Sequence, residues 1–268
     1  MNARTATSTT TIPAGGLARI YALEAKYEFL KVLRLPMYAI PTISFPMVFY
    51  LLFGVAMKGK FSSGAFDMAT FLLGTYGAFG VIGAALFGFG VGVAVERGQG
   101  WMLFKRATPM PPLAHLVAKL FMAMLMSCLV VGGLFLLGAT LGGVHLSLAQ
   151  WLTLFVVLVA GAIPFGTMGL AIGYWAGPNS APAIVNLLYL PLAFASGLWI
   201  PIQALPGFLQ KIAPFLPPYH FSQLALKVID LDRGGSVGVS IAALAAFSAA
   251  ALALAWVGYR RDEGKTFG

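Results

Sequence analysis

Charge is what this sequence has least of. Among 268 residues there are 17 Lys or Arg and 8 Asp or Glu, 9% together, against about 25% in a soluble domain. So little charge cannot keep a water-facing surface in solution, which excludes an ordinary cytosolic enzyme and an intrinsically disordered chain. Cysteine occurs once, as Cys128 inside an apolar run. One cysteine cannot close an internal disulfide, so a disulfide-stapled secreted domain is excluded too. The three histidines, His115, His145 and His220, fall between apolar runs or near their ends. Helices that carry haem need His ligands within their spans, and no His, Cys, Asp and Glu group has the sequence spacing of a metal site. No Ser–His–acid set stands out. The chain is therefore expected to hold no catalytic residue, no cofactor and no metal.

What is abundant is apolar. Hydrophobic residues make up 59% of the chain and the mean hydropathy is +0.88. A net charge of +9 could be read as affinity for nucleic acid, but in so apolar a chain it fits the basic loops of a membrane protein. A spanning helix needs roughly 20 mostly apolar residues. Six runs qualify: Pro36–Met57, Met68–Val95, Leu120–Leu141, Trp151–Trp175, Pro182–Ile200 and Val237–Gly258. The second is long enough to tilt or to project from the bilayer, and Pro164 is placed to kink the fourth. None of the six contains Asp, Glu, Lys, Arg or His. Ion-driven carriers usually keep ionisable groups at mid-depth to bind the coupling ion. An ion-coupled secondary carrier is disfavoured on that ground, while a structural membrane subunit stays open.

Basic residues set the orientation. With six spans, twelve Lys or Arg fall on the side of the two termini and five on the other. Both termini are therefore expected in the cytoplasm, with the chain multi-pass in the plasma (inner) membrane. Residues 1–16 are Thr-rich and hold no apolar run of signal-peptide length. They read as a disordered cytoplasmic tail ahead of a single membrane domain over residues 17–268. Leu17–Arg34 reads as a helix. At about 100° per residue, Arg19 and Lys26 fall on one side and Glu24, Glu28 and Lys31 on the other. Such a helix can lie in the membrane interface or serve as a plain stem into the first span.

Two further patterns need weighing. Gly54–Lys60 matches a phosphate-binding glycine–lysine spacing, but Phe61 stands where Ser or Thr should hold magnesium, and a membrane span precedes it rather than a strand. It is set aside. Small residues recur every fourth position at Gly80, Ala84, Gly88 and Gly92, and again at Gly169, Gly173 and Gly177. Rows of this kind let helices approach closely, either inside one subunit or between two.

Two loops carry the functional message. The first follows the second span, from Glu96 to Pro112. Gly98 and Gly100 permit a sharp turn. Trp101 to Arg106 can form a short helix with Trp101, Leu103 and Phe104 as apolar contacts. Thr108 and Pro109 end it, and Pro111 and Pro112 prevent its renewal. Exposed aromatics on a short helix suit docking into a partner's groove, or anchoring among lipid headgroups. The second stretch, Ser196–Arg233, is apolar but cut by Pro201, Pro206, Pro214, Pro217 and Pro218. It reads as two short re-entrant helices near Leu205–Ile212 and Phe221–Ile229. Backbone of this kind is tolerated at membrane depth only where protein or a cavity lines it. Phe208, Phe215, Tyr219, His220 and Phe221 would then cluster at the outer mouth, as a gate or as an interfacial aromatic belt.

The order of a basic interfacial helix, six spans, a loop reading Glu96-Arg97…Gly100-Trp101…Lys105-Arg106-Ala-Thr108-Pro109, and a Gly-Leu-Trp-Ile-Pro…Leu-Pro-Gly…Pro-Phe-Leu-Pro-Pro stretch resembles the type-2 family of ATP-binding-cassette (ABC) exporter permeases. Gly98 and Gln99 stand where many members carry a second acidic residue. The resemblance implies an all-α integral membrane fold: six transmembrane helices, an N-terminal interfacial helix, a cytoplasmic coupling helix, and external re-entrant helices between spans five and six. It implies that Glu96, Arg97, Gly100, Trp101, Phe104, Lys105, Arg106, Thr108 and Pro109 dock a separate ATPase subunit, present in two copies and holding ATP and Mg. It also implies an external gate at Pro201, Pro206, Phe208, Pro214, Phe215, Tyr219 and His220. A second permease subunit, forming a homodimer, and membrane lipids would complete the assembly, with no nucleic acid. The candidate substrate path, between two copies, takes in Phe45, Phe49, Phe79, Phe87, Asn186 and Tyr189. A soft uncharged lining favours export of an amphipathic drug-like or lipid-like substrate, with a lipid-linked polysaccharide as the alternative cargo.

Overall fold

A computed structural model describes residues 14–57, 67–101 and 111–263 of the protein. Those residues form helices and connecting turns, with no strand among them. Helix α1 covers Ala14–Leu33. Pro36 disfavours helical backbone at the residue before it, and Leu35 accordingly leaves the helical region before α2 begins at Pro36. The long apolar helices are α2 (Pro36–Ala56), α3 (Met68–Gly98), α4 (Pro112–Leu137, extended by a π-helical turn at Gly138–Gly142), α5 (Leu148–Trp175) and α9 (Val237–Glu263). Between α5 and α9 come α6 (Ala181–Ala195), α7 (Gly207–Ile212) and α8 (Pro217–Val228).

Local sequence explains the starts. The Asp67 side chain caps α3 by accepting from the Thr70 N–H, and Ser147 and Gln150 form a capping box on α5, which satisfies N–H groups that have no partner inside the helix. In α5 the helix is interrupted at Gly161 rather than at Pro164, because a proline disturbs the turn that precedes it. Gly161 also makes room for Phe221 of α8, whose ring a Cβ there would strike at 2.0 Å.

Helix α3 is the axis of the fold: 78% of its apolar window is buried, against 11% for α9 at the rim. It packs on α2, α4, α5 and α8. Its closest approach is to α5, where a Cβ on Gly169 would lie 3.1 Å from both the Ala85 carbonyl and the Gly90 nitrogen. The small-residue rows therefore serve packing inside this chain, with Gly90 and not Gly88 opposite Gly169 and Gly173. Gly80 meets Val130 and Pro46, and Gly88 meets Met122.

Two expectations take a more particular form. Among the described residues five helices are long and apolar enough to cross a membrane, and the expected sixth span, Pro182–Ile200, holds the shorter apolar helix α6. Its 15 residues rise about 22 Å, short of the ~30 Å hydrocarbon layer. A Schellman turn stops it: Leu198 N–H reaches Ala193 O, Gly197 N–H reaches Phe194 O, and Gly197 takes φ +76°. Charge also enters the long helices from one end. Glu96 lies in the last turns of α3, and His115 and Lys119 in the first turns of α4.

Candidate functional site

At that charged end three helices meet through their side chains. Glu24, Glu28 and Lys31 lie on one face of α1, at steps of four and three residues. His115 and Lys119 lie on one face of α4, and Glu96 comes from α3. Lys119 Nζ is 2.9 Å from Glu96 Oε1 and 3.3 Å from Glu28 Oε2. His115 Nε2 is 2.9 Å from Glu96 Oε2, while its Nδ1 is 3.4 Å from Glu24 Oε1. Lys31 pairs with Glu96 and lies 3.6 Å from Glu28 Oε2. Lys119 is 1% exposed, and Glu28, Glu96 and His115 are each 5% exposed. Burial works against the Lys31 ammonium, but the Glu96 and Glu28 carboxylates outweigh it and hold its pKa above the ordinary 10.5. Glu24, Glu28 and His115 bring ligand atoms within 4.8 Å of one another, a grouping that sequence spacing did not reveal. Lys31 and Lys119 bring positive charge to Glu28 and Glu96, and Glu24 meets His115, so the group is tied together as a salt-bridge network.

This network changes the reading of the docking loop. Glu96 is expected to face a partner, but its carboxylate is turned inward onto α1 and α4. Arg97 also folds back: it donates to Gly173 O and Ala176 O and lies 5.8 Å over the Tyr174 ring. The chain then turns at Gly100 with φ +74° and presents Trp101, 58% exposed. Phe104, Lys105, Arg106, Thr108 and Pro109 lie outside the described residues.

The candidate path residues do come together. Phe45, Phe79, Phe87, Asn186 and Tyr189 line one open groove of about 300 Å³, with Tyr38, Pro41, Thr42 and Gly83. Phe79 and Tyr189 stack with centroids 4.6 Å apart, and the Tyr189 hydroxyl donates to Phe79 O at 2.8 Å. Gly83 permits this, since a Cβ there would lie 2.8 Å from that hydroxyl. Phe49 joins from the side, 4.6 Å from Phe45 and 6.1 Å from Trp199. Trp199 also meets Phe79 at 5.7 Å; sequence reasoning passed it over, although it sits in the Gly-Leu-Trp-Ile-Pro stretch. A second pocket of about 420 Å³ shares Tyr38 and Phe87 with the groove and runs to the network and Trp101. The two are neighbours along one furrow with Tyr38 and Phe87 as shared walls, the groove mostly aromatic and the second pocket carrying the charged groups.

The proposed gate residues divide. Two short helices stand where expected, but their aromatics do not form one cluster. Phe208 and Phe215 are exposed. Phe221 turns inward and packs 5.4 Å from Phe165. His220 is buried as a tie, with Nε2 2.9 Å from Pro214 O and Nδ1 3.4 Å from Ser240 Oγ, and Tyr219 packs against its ring. Pro206 and Pro214 are exposed and Pro201 is half-buried.

A family model described as ABC-2 type transporter matches residues 21–229, which takes in most of α1, the network, the groove and α8. The chain belongs to the ABC-2 type transporter family. This ABC-2 permease is also 31% identical over 209 residues to the protein named "Putative transport permease YvfS" of Bacillus subtilis (strain 168), covering 78% of this chain and 84% of that one. Family membership makes it a multi-pass membrane protein and the permease component of an ABC transporter, associated with an ABC ATPase.

Proposed function

We propose that this ABC-2 permease is the membrane half of an ATP-driven exporter in the inner membrane, with both termini in the cytoplasm. Two copies face each other across the furrow, and each docks one ATPase that holds ATP and Mg. The cargo is an amphipathic drug-like or lipid-like molecule moved outward along Phe45, Phe79, Phe87, Asn186 and Tyr189, past Trp199 and the short external helices. The observation that carries this reading is that the aromatic groove and the pocket at the ion network adjoin, with Tyr38 and Phe87 as walls of both. Closure of the ATPases pushes the loop that begins at Trp101. Because Glu96 joins α3 to α1 and α4, that push moves three helices as one body. Glu96 is thus a positioning residue, and Trp101 is the contact that faces the partner.

The test is reconstitution with its ATPase in proteoliposomes. Trp101→Ala is expected to lower ATPase co-purification and ATP turnover together. Phe45→Ala is expected to leave ATPase binding intact and lower efflux of an amphipathic dye. If both variants pump like wild type, the reading fails. If no dye moves but a lipid-linked polysaccharide does, the permease reading stands with the other cargo.

A further inference from the structure

Helix α9 lies beyond the residues that the family model matches. From Val237 to Tyr259 it carries no charge, a rise of about 34 Å that suits the ~30 Å hydrocarbon layer. Its outer face is bare: Val239, Ile241, Leu252, Leu254 and Trp256 are exposed. Immediately after this apolar length come Arg260 and Arg261, both exposed.

These two arginines are held by aromatic faces. The Arg260 guanidinium lies 4.8 Å over the Trp256 ring of its own helix, and that of Arg261 lies 4.5 Å over the Trp175 ring at the end of α5. Trp175 is itself fixed, since its indole N–H donates to Leu254 O at 2.9 Å. Gly258 leaves it room, as a Cβ there would stand 2.9 Å from the indole nitrogen. Neither guanidinium has an ion pair or hydrogen bond among the described residues. A guanidinium stacked on its face keeps its N–H donors at the edge. The two edges belong to consecutive residues just past the apolar length of α9, one stacked on Trp256 of α9 and the other on Trp175 of α5, where the hydrocarbon layer gives way to headgroups. Their geometry suits the oxygens of a phosphate, which take paired N–H donors.

We propose that Arg260 and Arg261, stacked on Trp256 and Trp175, form a binding site for the phosphate headgroup of an anionic phospholipid in the leaflet at the charged end. The lipid's chains would lie along the exposed side of α9, and its headgroup would bridge α9 to α5.

Native mass spectrometry of the detergent-purified chain, titrated with phosphatidylglycerol or phosphatidylcholine, tests this. Wild type is expected to prefer phosphatidylglycerol. Each arginine is expected to contribute about fivefold, so Arg260→Gln with Arg261→Gln lowers that binding by about 25-fold, with an unchanged size-exclusion profile. Unchanged binding in this double variant overturns the proposal. Arg260→Lys with Arg261→Lys keeps the charge and loses the stacked fork. It is expected to bind much less than wild type, and full retention would overturn the built site in favour of diffuse charge. Inorganic phosphate is the remaining arm: if it displaces the lipid at equal concentration, the occupant is a soluble anion and the lipid assignment fails.

Discussion

The ion network and the aromatic groove are both built on α3, yet they hold their surroundings in opposite ways. The network joins α1, α3 and α4 through buried polar contacts of Glu28, Glu96, His115 and Lys119 at 2.9 to 3.7 Å, and its Lys119 pairs are directional and costly to break singly. The groove joins α2, α3 and α6 through ring contacts from 4.6 to 6.4 Å, which shift with little penalty. One region is suited to pass on a displacement without absorbing it. The other is suited to accept molecules of varied outline.

Removing one charge from the network should have the largest effect. Lys119→Met keeps most of the side chain's bulk but takes one counter-charge from Glu28 and Glu96. The expected loss is about 3–5 kcal/mol, the cost of breaking a buried pair. A melting curve in detergent measures it, and a variant that melts like wild type would erase the contrast between the two regions. Tyr189→Phe should be milder. It removes the hydrogen bond to Phe79 O and keeps the stacked ring, so about 1 kcal/mol of stability is expected to go. Its main signature should be altered selectivity among efflux substrates, with ATPase assembly unchanged.

The smallest effect concerns pH. The pKa of Lys31 is raised in the folded protein, so its contribution is full below the ordinary 10.5 and is lost as pH rises through the raised folded value. The Lys31 side chain is 47% exposed, and solvent screening keeps the contribution small. The difference in melting temperature between wild type and Lys31→Met should shrink across that alkaline window. A difference that grows would reverse the assignment.

How much of this was legible in the sequence depends on the distance over which each feature is fixed. The apolar runs are local, and the long helices stand close to where hydropathy puts them. The end of α6 is also local, but a run of apolar residues hides it: Ser196 and Gly197 stop the helix while Leu198 and Trp199 continue the hydrophobic signal. The groove residues were readable as five aromatics and Asn186 on three runs, and the fold brings five of the six onto one surface. The contacts of Glu96 were not readable. Its partners lie 23 and 65 residues away in the chain, and only the packing of α1 on α4 turns a carboxylate that looks like a docking contact into an internal tie. The same holds for His220, whose partners are a backbone carbonyl and a serine on α9.

The glycine-rich stretch Leu86–Val91 is wound as a π-helix in the middle of α3. A π turn stores one extra residue within an otherwise α-helical rod. Releasing or moving that residue turns one half of the rod against the other by about 100° and slides it by about 1.5 Å, with the helix kept whole. Phe87 belongs to the stretch and lines both pockets of the furrow. The part of α3 tied to α1 and α4 through Glu96 therefore lies on one side of this winding, and Phe79 of the groove lies on the other.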